Sequence, residues 1–250
     1  MITPLKVHAN IQLHPNQMAV HNSRGRFKYI KAGKRWGKSK LAMFELFQWS
    51  VKPNRYWYVA ETYGQAEEIA WRDLTVEQED GQPPIIPPQY IKNKWNSKLM
   101  LELEWGSILQ LKGQDNPSTL RGIPLGGAVL DERSYHAEEI WPSIIRGQLA
   151  KSQGPAIFIS SPHFKGRNHF TTACEEADRK MKSGDKDFAY FHFTIWDNPT
   201  LERKEIQNMK DNMSDDKWNL EYMAEESALG GICFSEFSRS RHVEVMEIAA

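Results

Sequence analysis

Cysteine is scarce: Cys174 and Cys233 are the two in 250 residues. They lie far apart with no metal-type spacing, which argues against a zinc ribbon or a disulfide framework and fits a reduced, cytosolic protein. No apolar run approaches the roughly 20 residues that span a bilayer. The stretch MITPLKVHANIQLHP has no basic region followed by an apolar core, so it does not read as a signal peptide. An excess of charge is also missing, since 32 basic residues balance 32 acidic ones. Any grip on a polyanion must therefore be local. His-Glu-x-x-His, Gly-x-Ser-x-Gly and Cys-x-x-Cys are all absent, which removes the common zinc, serine-elbow and dithiol chemistries. There are no repeats and no low-complexity tracts.

What remains is an ordinary soluble composition, long enough for one large domain or one domain with a small appendage. Basic residues do cluster once: Arg24, Arg26, Lys28, Lys31, Lys34, Arg35, Lys38 and Lys40 crowd one segment. Acidic residues collect elsewhere, as at residues 77–80.

Short apolar runs alternate with helical patterns. FKYIKA (27–32), YWYVA (56–60), GAVL (127–130) and AIFIS (156–160) read as buried strands. KSKLAMFELFQWSV (38–51) and GQAEEIAWRDL (64–74) read as helices, as does AEEIWPSIIRGQL, where Pro142 marks a start or a kink. LMLELE and SILQLK flank Trp105-Gly106 as a β-hairpin. This alternation predicts an α/β fold with a mainly parallel sheet flanked by helices. From residue 183 the pattern changes. FAYFHFTI reads as a strand, WDNPT as a break, and the polar stretch after it as two helices. The expected division is 1–182 for the core, 183–230 for a small lid-like helical subdomain, and 231–250 for a strand and linker tail.

The segment AGKRWGKS, Ala32 to Ser39, fits the phosphate-loop pattern Gly/Ala-x-x-x-x-Gly-Lys-Ser/Thr, with alanine in the first position. Gly37 lets backbone amides close around phosphates. Lys38 would reach the β- and γ-phosphates of ATP, Ser39 would hold Mg²⁺, and the following helix would aim its N-terminus at the anion. Ala32, Gly33, Lys34, Arg35, Trp36 and Lys40 complete the candidate ATP-binding set. A solvated basic loop capped by Ser39 has the same letters, but the strand before and helix after favour the phosphate loop. Trp36 either packs under the loop or flanks the nucleotide.

Hydrolysis also needs a metal-orienting acid and a group that positions water. GGAVLDE ends a buried strand in Asp131, which could hold Mg²⁺ through water, and Glu132, a candidate general base. Alone this is an ordinary acidic strand cap; beside a phosphate loop it reads as catalytic. Ser160, Ser161 and Pro162 end a neighbouring strand. On spacing alone they read as a strand-to-turn exit.

In order along the chain, HPNQMAV, AGKRWGKS, WYVAETYGQAEEIAW, LRGIPLGGAVLDE, ISSP and WDNPTL together resemble the ATPase half of the large terminase subunit of tailed bacteriophages. That is the motor family that packages DNA. Apart from the phosphate loop no piece is specific; the ordered set is. The resemblance implies a P-loop NTPase of the additional-strand catalytic-glutamate type. It implies that Gln17 recognises adenine and that Lys34 and Arg35 sense the γ-phosphate, with lysine here where many relatives carry the first arginine. It implies that Ser160, Ser161 and Pro162 couple hydrolysis to motion, Ser161 departing from the usual threonine. It further implies that Arg121, in TLRG, reaches a neighbour's nucleotide as an arginine finger; Arg72, Arg133 and Arg146 are rivals.

By the same resemblance, the expected function is ATP hydrolysis with Mg²⁺ that drives double-stranded viral DNA into a procapsid. The expected partners are a homo-oligomeric ring on the portal and a small terminase subunit, with a monomer in isolation, in the host cytoplasm, and no membrane. The family normally adds a two-metal nuclease domain. This chain stops near where the linker would begin and offers Glu236 and Glu244 without a carboxylate cluster, so it reads as a fragment without cleavage activity. Two alternatives remain: a helicase-like DNA-dependent ATPase, although such enzymes normally carry two α/β lobes, and a nucleotide-dependent clamp or scaffold with little turnover, against which intact Glu132 argues.

Overall fold

Aromatic and branched side chains fill FKYIKA, and five of its six residues are buried. A strand apolar on both faces needs cover on both faces, and it finds it in the middle of a sheet. The computed structural model describes residues 7–78 and 81–226. Its chain opens with helix α1 (Pro15–Asn22), strand β1 (Phe27–Ala32) and helix α2 (Lys38–Trp49). β2 (Arg55–Ala60) leads into a helical run made of α3 (Tyr63–Gln65), a π-helical stretch (Ala66–Trp71) and α4 (Arg72–Thr75). β3 (Ile91–Trp95), β4 (Met100–Leu103) and β5 (Ile108–Gly113) form an antiparallel ribbon. β6 (Gly127–Asp131) comes next, then π-helical Ile140–Ile145 with α5 (Arg146–Gln148), β7 (Ala156–Ser160) and α6 (His169–Lys182). β8 (Phe188–Phe193), α7 (Arg203–Asp211) and α8 (Asp215–Glu221) complete the described part.

The eight strands form one sheet in the order β3-β4-β5-β2-β6-β7-β1-β8. Every pairing from β5 to β8 is parallel. β7 lies between β1, which feeds the glycine-rich loop, and β6, which ends in the acids. That inserted strand is the additional strand the sequence resemblance implies. One face of the sheet packs Ile30, Tyr58 and Leu111 against Leu41, Leu46 and Phe47 of α2. The other packs Tyr29, Trp57 and Phe158 against Ile140, Ile144 and Phe170.

One expectation is adjusted. FAYFHF, assigned above to the segment starting at residue 183, is β8 and pairs in parallel with β1, so it belongs to the main sheet. Its burial pattern is broken because it lies on the sheet's edge. Ile206 of α7 and Trp218 of α8 pack with Ile195 in a small cluster of their own. β3 and α6 carry no strong sequence signal: β3 is largely exposed at the other edge, and α6 shows a narrow apolar stripe. The expected strand and tail at 231–250 lie outside the described residues.

The basic cluster is divided between interior and surface: Lys28 and Lys38 are buried, whereas Arg24, Lys34, Arg35 and Lys40 are exposed. Lys28 is buried and donates from Nζ to the carbonyl oxygens of Val20 and His21, at 2.8 and 3.2 Å, and to Glu45 at 3.4 Å. Burial lowers its pKa, and Glu45 opposes the shift. The ammonium thus satisfies carbonyls at the end of α1 and ties that helix to β1 and α2. Lys31 pairs with Glu226, and Lys34 with Glu221.

Candidate functional site

The loop between β1 and α2 is shaped by its glycines. Gly37 has φ 102°, a conformation that costs a side chain dearly. A Cβ there would also lie 2.6 Å from Nε2 of Gln17. At Gly33 the demand is space, because a Cβ would sit 2.0 Å from the carbonyl oxygen of Tyr222 at the end of α8. No side chain caps the N-terminus of α2. Its first amides are left to face whatever enters the loop, together with the positive end of the helix dipole.

Lys38 is 7% exposed and its Nζ donates back to the carbonyl oxygens of Ala32 and Gly33, at 3.2 and 3.3 Å. Its ammonium is therefore held inside the loop's curve. Ser39, next along, donates from Oγ to Oδ2 of Asp131 at 2.8 Å. The two halves of the motif, 92 residues apart, meet in one contact. Tyr58 on β2 donates its hydroxyl to the same carboxylate oxygen, and the Glu132 amide donates to the other at 3.0 Å. Nothing in the motif pattern marks Tyr58; its signal would have been a hydroxyl in a strand otherwise almost wholly buried.

At Glu132 the backbone turns through the left-handed region, φ 49°. This swings the carboxylate away from the strand line to accept a hydrogen bond from Ser160 Oγ at 3.1 Å. Ser160 in turn shares a 2.7 Å contact with Ser134 Oγ. Burial pushes the Glu132 carboxyl up from its ordinary pKa and nearby Asp131 adds to this, while Lys38 and the Ser160 hydrogen bond pull it down. A base with a raised pKa stays protonated to higher pH, so any reaction that uses its carboxylate loses rate on the acid side early. Ser160→Ala removes a bond that favours the charged form. The acid limb of turnover should therefore move to higher pH, read from kcat against pH. An unmoved limb would separate Ser160 from the titration of Glu132.

Gln17 lies at the first turn of α1, 4% exposed. Its carbonyl accepts from the His14 amide at 3.1 Å, and its Nε2 donates to the carbonyl of Gly37 at 3.0 Å. His14 completes a reciprocal cap by accepting from the Gln17 amide through its side chain. Its Nε2 also contacts the carbonyl oxygen of Trp36 at 3.1 Å. Sequence reading did not anticipate this cap, although His14 and Gln17 stand at the three-residue spacing of a reciprocal helix cap. Gln17 still lines the cleft of about 540 Å³ that runs past Arg35, Lys38, Ser39 and Lys40. Trp36 packs under the loop: it is fully buried, stacked on Phe193 at 4.4 Å. Asn198, within what read as a mere break, donates to the carbonyl of Arg35 at 2.6 Å.

Ser161 is buried at the tip of β7. Arg121 lies apart from the cleft, exposed in a shallow groove with Ser143, Gly147 and Lys151. Of its rivals, Arg133 is committed inside the fold, donating to the carbonyls of Ala137 and Glu138 at 3.2 and 3.0 Å. Arg146 lies over the Phe27 ring at the opposite end of β1. Arg72 lines a groove beside Lys40 and Asp73. Among the described residues, no group of three or more His, Cys, Asp or Glu side chains could hold a metal. The hydroxyl of Ser39 and the carboxylate of Asp131 are nonetheless the hard oxygen donors that suit Mg²⁺, which takes its other ligands from phosphate and water. No helix among the described residues is long and apolar enough to cross a membrane.

No protein-family model matches the chain, and no curated protein matches it by sequence. Solved structures do. The large terminase ATPase domain of Thermus phage P74-26 is 25% identical with a TM-score of 0.67, covering 87% of this chain and 95% of that one. The large terminase of bacteriophage HK97 is 16% identical with a TM-score of 0.62, covering 86% of this chain and 50% of that one. A large terminase from a thermophilic bacteriophage, solved in complex with ADP, is 15% identical with a TM-score of 0.59, covering 92% of this chain and 57% of that one. The chain thus spans about half of these last two proteins. The fold is the one that the resemblance in the sequence implied.

Proposed function

We propose that this chain is the ATP-hydrolysing domain of a motor that moves double-stranded viral DNA into a procapsid. The observation that carries the reading is the 2.8 Å contact between Ser39 and Asp131, set between buried Lys38 and a glutamate held by Ser160. Its likeness to the P74-26 terminase ATPase domain over 87% of the chain supplies the DNA-packaging context.

In this reading the loop amides and Lys38 bind the β- and γ-phosphates, and Gln17 faces adenine with the Nε2 hydrogen left beyond its bond to Gly37. Ser39 and, through water, Asp131 would hold Mg²⁺, which would offset phosphate charge when bound. Glu132 accepts a proton from the attacking water, and Ser160 holds that carboxylate in place. Ser161 and Pro162 carry the change onward from the strand end. Lys34 exchanges Glu221 for the γ-phosphate, and Arg35 lies at the cleft's rim. Trp36 contributes its backbone to the loop, and its ring serves as the loop's floor. Arg121 completes a neighbour's site in a ring built on the portal. A small terminase subunit brings the DNA, and the isolated domain is a monomer of low activity. The solved structures that resemble this chain are large terminases, which does not favour a helicase-like role, and a clamp would not need Glu132.

The arginine assignment has its own test. An arginine finger is worth about 10³–10⁵ in rate. Neither Arg121→Ala nor Glu132→Gln should turn over ATP alone. Mixed under conditions that assemble a ring, they should recover activity, because one subunit supplies the base and its neighbour the finger. No recovery in an assembled ring would assign Arg121 a role within its own subunit.

A further inference from the structure

β7 does not end in a plain surface turn. Beyond Pro162 the chain folds into a tight loop in which His163 holds two nearby amides, Lys165 through Nδ1 at 3.0 Å and Gly166 through its carbonyl at 2.9 Å. Gly166 closes the turn with φ 92°. At the tip, Phe164 is 61% exposed, more than any other large apolar side chain among the described residues. Its ring is not free to wander: His163 stacks beside it at 4.7 Å and Tyr135 lies beyond at 6.4 Å. The Lys165 ammonium sits 5.6 Å from the Phe164 ring centre. Exposed Arg167 comes next, paired with Glu175. The other charges near this loop are Glu61, which faces His163, and Glu226, toward Arg167.

A lone exposed phenylalanine is unremarkable on a monomer. One set on a turn beside the His163 ring, with Lys165 near its own ring and Arg167 three residues on, is a different feature. It presents an apolar wedge and positive charge together, the pair of contacts that the sugar and phosphate of a nucleic-acid strand accept. Its position matters as much. The loop begins shortly after Ser160, which bonds Glu132, and Tyr135 belongs to the turn just past Glu132. One root of the loop is therefore tied to the Glu132 carboxylate through Ser160, and Tyr135 is tied to the Glu132 backbone, its amide donating to the carbonyl at 2.9 Å.

We propose that residues 163–167 form a DNA-backbone contact, with Lys165 and Arg167 on phosphates and Phe164 against the deoxyribose between them. The contact rests on the DNA-translocating reading above and gives it a surface. It places the polymer at the same strand end as the nucleotide, so that a shift at Ser160 and Glu132 is transmitted to the DNA through a very short length of chain.

The test measures anisotropy of a fluorescent duplex of about 30 base pairs, several times the footprint of one such loop, with the full 250-residue chain across a series of KCl concentrations. Lys165→Ala should weaken binding and reduce the slope of log affinity against log salt by about 0.9, the loss of one phosphate contact. Phe164→Ala should weaken binding several-fold with the slope unchanged, since no charge is removed. Lys165→Arg should bind like the parent, as should Lys186→Ala, a lysine exposed before β8 at the far end of the sheet. Melting temperatures confirm that each variant is folded. If the parent binds duplex and Phe164→Ala and Lys165→Ala bind equally well, the loop assignment is overturned and the DNA reading stands. If those variants change sedimentation of an assembled ring but not DNA affinity, the loop is a subunit contact and the proposal fails. A parent chain that binds no duplex, with or without a non-hydrolysable ATP analogue, overturns the DNA reading and the loop together.

Discussion

Lys38→Ala should reduce ATP affinity at least about 100-fold. The magnitude comes from the bonds that are lost: hydrogen bonds from a charged group to phosphate contribute about 1.5–3 kcal/mol each, and about 1.4 kcal/mol is tenfold in affinity. Two such bonds already exceed the threshold. Lys38 also closes the loop on itself through the carbonyls of Ala32 and Gly33, so the variant leaves two acceptors without their donor. The loop should loosen, and part of the affinity loss will come from its lost preorganisation. Lys38→Arg separates the effects: it keeps the charge while its planar fork misfits a pocket built for a compact ammonium. Affinity is read with a fluorescent ATP analogue, and melting temperature reports folding. Tight ATP binding by folded Lys38→Ala would remove the phosphate-loop assignment.

Glu132→Gln should do the opposite: keep binding and lose turnover. Glutamine has the shape of glutamate and retains a partner for Ser160 Oγ. It cannot accept a proton from water at any working pH. Loss of a general base typically costs about 10²–10⁴ in rate, while nucleotide affinity should change little. Removing a buried carboxylate whose pKa is already raised by burial should not destabilise the fold, and melting should occur at the parent temperature or above. Near-normal hydrolysis would transfer the role of base to another group.

Much of this site was legible because its chemistry is local in sequence. The loop needs Gly37, Lys38 and Ser39 consecutively, and a strand ending in Asp131-Glu132 announces itself by its apolar run. The meeting of Ser39 with Asp131 was an inference across 92 residues, supported by the pattern of strands and helices and by the order of motifs. Other parts could not be read. Tyr58 is an ordinary strand aromatic until the fold places Asp131 against its hydroxyl. Asn198 sits in a proline-bearing break, and its amide matters because the fold brings that break to Arg35. How the charges of the basic segment divide could not be read either, since sequence counts lysines but not their burial or partners. Lys28 and Lys38 are inside, and Lys31 and Lys34 are paired. β8 was read correctly as a strand but grouped with the helices after it, because an edge strand carries a weaker burial signal than a central one.

The position of β7 has a mechanical consequence. On one side it is laddered to β1 over five residue pairs, on the other to β6 over four. It is a common shaft between the strand that feeds the phosphate loop and the strand that carries the acids. The two cannot slip past each other without shearing a ladder on one side. Relative displacement of nucleotide and acids is therefore resisted by both ladders of β7. Work done by hydrolysis must leave through compliant parts beyond the strand ends: the turn after Glu132, the segment after Ser160, and the contact of Gly33 with the end of α8. An engineer would say that the engine block is rigid by construction and that only its linkages can deliver a stroke.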